Sequence, residues 1–130
     1  MSNEREWPAF FPANCPPSDT IEATGTVYRF VKNNPPLSSD FASHVETGRR
    51  FHGDECQACG LSVFRNLEDL NDMRSRVKAF RSQHTAVGDL NTGVVKHTPA
   101  SASSHHSWWL PADTLVHGNF RVVTAEETKS

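Results

Sequence analysis

The clearest alternation of apolar and polar positions lies in TGTVYRFV, residues 24 to 31. It is rich in β-branched and aromatic side chains and runs into the turn sequence KNNPP, so it predicts a strand. Period two puts Thr26, Tyr28 and Phe30 on one face and Val27, Arg29 and Val31 on the other, leaving Arg29 between two valines. An arginine there is either an edge-strand side chain that snorkels to water or a buried guanidinium aimed at a carboxylate or phosphate. LSVF at 61 to 64 predicts a short buried strand. Leu67, Leu70, Met73, Val77 and Phe80 then recur at steps of three and four, the stripe of an amphipathic helix of roughly four turns.

Asn66 is a natural N-cap for that helix. Its acidic residues sit at the amino end and Arg74, Arg76, Lys78 and Arg81 at the carboxyl end, which complements the helix dipole. Arg74, Lys78 and Arg81 share one face, either a solvated dipole cap or a strip that meets phosphates. SSDFASHVETG, residues 38 to 48, predicts a short helix stopped by Gly48, with Asp40, Ser43 and His44 on one face. The last third predicts a turn at AVGDLNTG, a strand GVVKHT from 93 to 98, a serine-rich loop, a short strand around SWWL and a strand FRVV from 120 to 123.

Residues 1 to 20 hold Trp7, Phe10 and Phe11 among four prolines, which blocks helix and interior strand and predicts an extended arm lying on the domain or on a partner. The expected architecture is therefore α+β: a small, mainly antiparallel sheet of three to five strands covered by one long amphipathic helix, with that Pro/aromatic arm at its N-terminal end. The domain is placed at 21 to 124 and a frayed tail at 125 to 130.

Composition narrows this picture. A chain of 130 residues suits one domain. Its 36% hydrophobic content and mean hydropathy of -0.56 imply a compact core with substantial loop. Thirteen basic against fifteen acidic side chains, a formal charge of -2, argue against a general nucleic-acid coat or a membrane-surface protein. The charged start MSNEREW and the lack of a long apolar run predict a cytosolic protein. Three cysteines, an odd number, point to reduced thiols or metal ligands and away from a disulfide framework.

HGDECQACG, residues 52 to 60, is the strongest local motif. Cys56 and Cys59 at CxxC spacing followed by Gly60 can form a metal knuckle, with His52 as a third ligand and zinc as the implied metal. The alternative is two small buried residues leading into LSVF. Dithiol exchange is disfavoured because the motif leads into a strand rather than opening a helix. In SSHHSWWLP, residues 103 to 111, His105 and His106 precede Trp108 and Trp109. If the segment is extended, His106 and Trp108 share one face while His105, Ser107 and Trp109 share the other, so one histidine can enter a pocket floored by an indole. The alternative makes one tryptophan core, lets the other cover the sheet edge, and leaves the histidines as solvated loop residues.

The strand arginine of TVYRFV followed by DFAS resembles ADP-ribosyltransferases over some 20 residues. The resemblance implies that Arg29 holds a nicotinamide dinucleotide and that a serine, here Ser43, supports it. The carboxylate of that family has no counterpart: Glu46 comes too early, and Glu126 and Glu127 fall in the tail. Two functions are thus expected, with catalysis open. The first is a small cytosolic binding or regulatory module that contacts a protein partner through its aromatic arm and Trp loop. The second is an enzyme or binding protein for a nucleotide or other phosphorylated ligand, using Arg29, Ser43, His105, His106, Trp108 and Trp109.

Overall fold

Residues 6–48, 54–99 and 104–124 are described by the computed structural model. Seven strands form one sheet: β1 (Ile21–Glu22), β2 (Gly25–Val31), β3 (Leu61–Phe64), β4 (His84–Leu90), β5 (Val94–His97), β6 (His105–Trp109) and β7 (Phe120–Val122). Their order is β1-β5-β6-β3-β2-β4-β7, and every pairing is antiparallel. The helices described are short: α1 (His44–Thr47), α2 (Glu55–Ala58) and α3 (Leu67–Arg76). The expectation of three to five strands under one long helix is therefore overturned on both counts.

Two strands were not expected: the two-residue β1 and the seven-residue β4. Gly88 and Asp89 read as a turn, yet Gly88 sits mid-strand opposite Val27. A Cβ there would fall 2.6 Å from the Asn119 carbonyl and 2.7 Å from the Phe120 ring, so glycine admits β7 against β4. The turn itself is confined to residues 91–93. It closes on Gly93, at φ +83°, where a Cβ would lie 2.2 Å from the Trp109 carbonyl.

The helix is shorter than its stripe for a local reason. Asn66 caps it, its side-chain oxygen accepting from the Glu68 amide at 2.8 Å, but Val77 is extended (φ -114°, ψ 109°) and ends it. Residues 78–80 continue as a single 3-10 turn. Arg74 holds that turn down by donating to the Phe80 and Gln83 carbonyls and the Thr85 hydroxyl. Arg76 pairs with Asp72 at 2.9 Å and Arg81 donates to the Ser75 carbonyl at 2.8 Å. Three members of the basic set thus serve the local fold.

Alternation divides the core. On one face Val27, Val31, Leu61, Val63, Val95 and Trp108 pack with Phe41, Val116 and Phe120. On the other, Trp109 and Val94 pack with Cys15, Cys56 and Cys59 under Trp7 and Phe11, while Phe64 packs with Leu70 of α3, Tyr28, Phe30 and Met73. Trp7 and Phe11 of the N-terminal segment pack on this second cluster, while Phe10 is exposed.

The cysteine reading is corrected here. Cys15 and Cys56, 41 positions apart, form a disulfide, and Cys59 is a buried free thiol. The expectation of reduced thiols or metal ligands therefore fails for Cys15 and Cys56. No helix among the described residues is long and apolar enough to cross a membrane. The frayed tail, residues 125 to 130, lies outside the described residues.

Candidate functional site

The sheet is split at one place. β2 pairs with β4 at seven positions but with β3 at Tyr28–Phe64 alone, so Arg29–Val31 and Leu61–Val63, which continue the ladder in sequence, part company. Backbone groups facing such a gap need other partners. Arg29 supplies them: Nη1 donates to the Ser62 carbonyl at 2.7 Å, while Nε (3.2 Å) and Nη2 (2.9 Å) donate to the Asp40 carbonyl. The guanidinium also lies 5.5 Å from the centre of the Phe41 ring. The arginine among valines is thus a bridge across the split rather than an edge side chain. Burial lowers its pKa to about 10, against the pull of the Asp40 charge, so it stays cationic at neutral pH.

Asp40 builds the loop that offers that carbonyl. Its carboxylate accepts from the Lys32 amide (2.8 Å), the Leu37 amide (2.9 Å) and the Asn33 side chain (3.1 Å). The burial that would raise its pKa is outweighed by these bonds from Leu37, Lys32 and Asn33, which hold the carboxyl below its usual 3.8. Stability drawn from a depressed carboxyl is complete above the unfolded value and is lost as pH falls through the folded one. Asp40→Ala is accordingly expected to cost on the order of 2 kcal/mol at pH 7, because three donors lose a charged acceptor. Urea titrations of both proteins should converge as the pH drops below the ordinary aspartate range. A constant difference down to the lowest pH would contradict this assignment.

A cleft of about 600 Å³ opens beside the split. Its lining includes Arg29, Lys32, Ser43 and His105 together with the aromatic residues Phe30, Phe64 and Phe80. The aromatic residues contact one another: Phe30 stacks on Phe80 at 4.3 Å and meets Phe64 edge-on at 6.2 Å. Phe64 in turn meets His105 edge-on at 5.3 Å.

Three of the candidate ligand residues, Arg29, Ser43 and His105, therefore share one cleft. Ser43 is almost wholly buried and spends its hydroxyl on α1: Oγ accepts from the Glu46 amide at 3.2 Å, and Glu46 Oε1 accepts from the Ser43 amide at 3.0 Å. It caps a helix and does not lie in a strand, unlike the serine that the ADP-ribosyltransferase resemblance implies.

The other three candidates lie elsewhere. His106 and Trp108 share a face as alternation requires, but it is the face away from the α3 side. His106 sits across from His97 at 4.9 Å between ring centres and donates Nδ1–H to the Ser104 carbonyl at 2.8 Å. Burial lowers its pKa, with Arg65 and His97 pushing the same way against the Ser104 bond. Trp108 donates to the Thr92 carbonyl and Trp109 to the Cys56 carbonyl, each at 2.8 Å, and both indoles are about 1% exposed. They are core, not a pocket floor.

The metal reading does not stand. Cys56 has no thiolate to give because it is bonded to Cys15. Burial pushes the Cys59 thiol up, and Glu55, Glu46 and Asp54 add to the effect, so the metal-binding form is disfavoured. Among the described residues no group of three or more His, Cys, Asp or Glu is arranged to hold a metal ion. His52 lies outside the described residues.

Lys32, Phe30 and Phe80 were not read as site residues from sequence. Phe80 ended the helical stripe, and Phe30 looked like one more strand aromatic; only the split brings them together. No protein family, curated protein or solved structure was found to match the chain.

Proposed function

We propose that the cleft binds a nucleotide or another phosphorylated ligand. The observation that carries this reading is the state of Arg29. Its guanidinium is bonded to carbonyl oxygens only, whereas the Asp40 carboxylate is committed to the loop. An arginine has five N–H groups, and the three bonds described leave one on Nη1 and one on Nη2 to donate to phosphate oxygens. Lys32 adds a second cation to the lining of the cleft. Phe30 and Phe80, both half-buried and backed by the buried Phe64, offer apolar surface to a flat heterocycle. A molecule with an anionic end and an aromatic end fits both. The buried indoles, in contrast, offer little to a protein partner.

Isothermal titration with adenosine diphosphate and inorganic pyrophosphate tests the reading. The wild-type protein is expected to bind both, the nucleotide more tightly because pyrophosphate has nothing for the aromatic residues. Arg29→Lys is expected to lose about tenfold, since a point charge replaces the guanidinium donors, and Arg29→Ala about 100-fold. Circular dichroism checks that each variant is folded. Absence of binding by the wild type, or equal affinity in a folded Arg29→Ala, sinks the proposal.

A further inference from the structure

The hydrogen bonds of His105 fix which of its nitrogens is basic. Nδ1 lies 2.7 Å from the Thr98 carbonyl oxygen and 2.9 Å from the Thr98 hydroxyl. A carbonyl oxygen can only accept, so Nδ1 carries the hydrogen; the Thr98 hydroxyl also lies 3.0 Å from Ser107 Oγ. In the neutral ring, Nε2 is left as the nitrogen with the lone pair. The ring is held from two sides, by Thr98 at the end of β5 and by the edge-on Phe64 ring of β3, and its residue lines the cleft that holds Arg29. A fixed tautomer on a strand residue that lines the same cleft as an anion anchor suits general-base chemistry.

We propose that His105 is the general base of the cleft and that the protein hydrolyses a phosphoester bond of the ligand anchored by Arg29, an inference that rests on the binding reading above. Nε2 takes a proton from a water molecule as the water oxygen bonds to phosphorus. The bond from phosphorus to the leaving oxygen breaks with its electron pair on that oxygen, which is protonated from solvent, and the imidazolium gives its proton back to solvent. Net, one water is added across the P–O bond, with no oxidant or reductant. The Arg29 N–H groups not used on Asp40 and Ser62 stabilise charge on the non-bridging phosphate oxygens as it builds.

Charge around the ring supports the neutral form. His106 is its neighbour on β6 and His97 stands on β5, both opposing a proton on His105; Phe64, its partner on β3, is uncharged. From α3, Asp69 accepts from the Ser104 amide one residue away. Burial and the two histidines lower the His105 pKa from 6.5, against the Thr98 carbonyl, so the base form dominates at neutral pH.

The test pairs binding with turnover of adenosine diphosphate and bis(4-nitrophenyl) phosphate. The variant is His105→Asn, whose amide can still donate to the Thr98 carbonyl. Wild-type kcat is expected to fall on the acid side with a limb below pH 6.5. In His105→Asn, kcat should fall at least 100-fold and lose that limb, while the dissociation constant changes less than tenfold. Binding without hydrolysis by the wild type, or equal hydrolysis by His105→Asn, overturns the catalytic inference and leaves the binding reading standing. Absence of binding by the wild type overturns both. If His105→Asn does not fold, the wild-type profile decides, and a rate with no acid limb below pH 6.5 overturns the inference.

Discussion

Trp108→Ala is expected to lower the stability of the domain by about 3–5 kcal/mol, as is typical for a large aromatic removed from a packed interior. Trp108 is about 1% exposed and lies in the larger core cluster with Val27, Val63, Val95 and Phe120. Its ring tilts against Phe120 at 6.0 Å, so it ties β6 near the middle of the sheet to β7 at the edge. Its Nε1–H also satisfies the Thr92 carbonyl in the β4–β5 turn, a group that alanine would leave without that donor. Small natural domains have about 5–15 kcal/mol in total, so the variant should stand near its unfolding midpoint in water. Trp108→Phe keeps most of the apolar surface and gives up the Thr92 bond, and should cost about 1–2 kcal/mol. Urea unfolding followed by far-ultraviolet circular dichroism separates the three proteins. A loss below about 1 kcal/mol for Trp108→Ala would mean that this cluster is not the one holding the sheet together.

The same residue shows what could be read from the chain and what could not. Alternation in SHHSWWL correctly separates Trp108 from Trp109 and groups His106 with Trp108, because β6 is regular and period two needs no knowledge of neighbours. Which face holds a cleft depends on β3 and α3, and no local pattern reveals that. Of the two histidines, His105 and not His106 shares the cleft with Arg29.

TVYRFV and LSVF were legible as strands for their β-branched and aromatic content, and they are β2 and β3. That they separate beyond Tyr28–Phe64 is a tertiary fact. Its one trace in the sequence is Arg29 among valines, which demanded a partner without naming it. β4 failed for the opposite reason: Gly88 and Asp89 carry strong turn signals, and the close approach of Phe120 that makes glycine necessary there comes from 32 residues further on. The apolar stripe from Leu67 to Phe80 overran the real helix because periodicity continued through an extended Val77 into a single turn that Arg74 anchors. Asp40 looked like one polar residue on a short helix face. It organises the loop through two backbone amides and Asn33, a role that follows from its burial and not from its spacing.

Removing the Cys15–Cys56 link by the double substitution Cys15→Ala and Cys56→Ala is expected to cost about 4 kcal/mol, the chain-entropy value for a closed loop of this length. The bond joins the N-terminal segment, through α2, to the cluster around Trp109. With the link gone, residues 6–20 are held by the packing of Trp7 and Phe11 and by the bond from the Ala112 amide to the Glu6 carbonyl. The comparison is best made in a Cys59→Ser background, so that the remaining thiol cannot exchange with the disulfide of the reference protein. Urea midpoints measure the loss, and limited chymotryptic cleavage after Phe10, the aromatic of this segment not followed by proline, reports whether the segment has lifted. A cost under about 1 kcal/mol with no gain in cleavage would show that aromatic packing alone holds the segment and that the crosslink adds little. The cleft lies beside a different cluster, and the groups that set Arg29, the carbonyls of Asp40 and Ser62, belong to neither end of the disulfide. Nucleotide affinity, measured where both proteins are folded, should therefore agree within about twofold. Stability carried by the arm and chemistry carried by the split are expected to separate in this one pair of measurements.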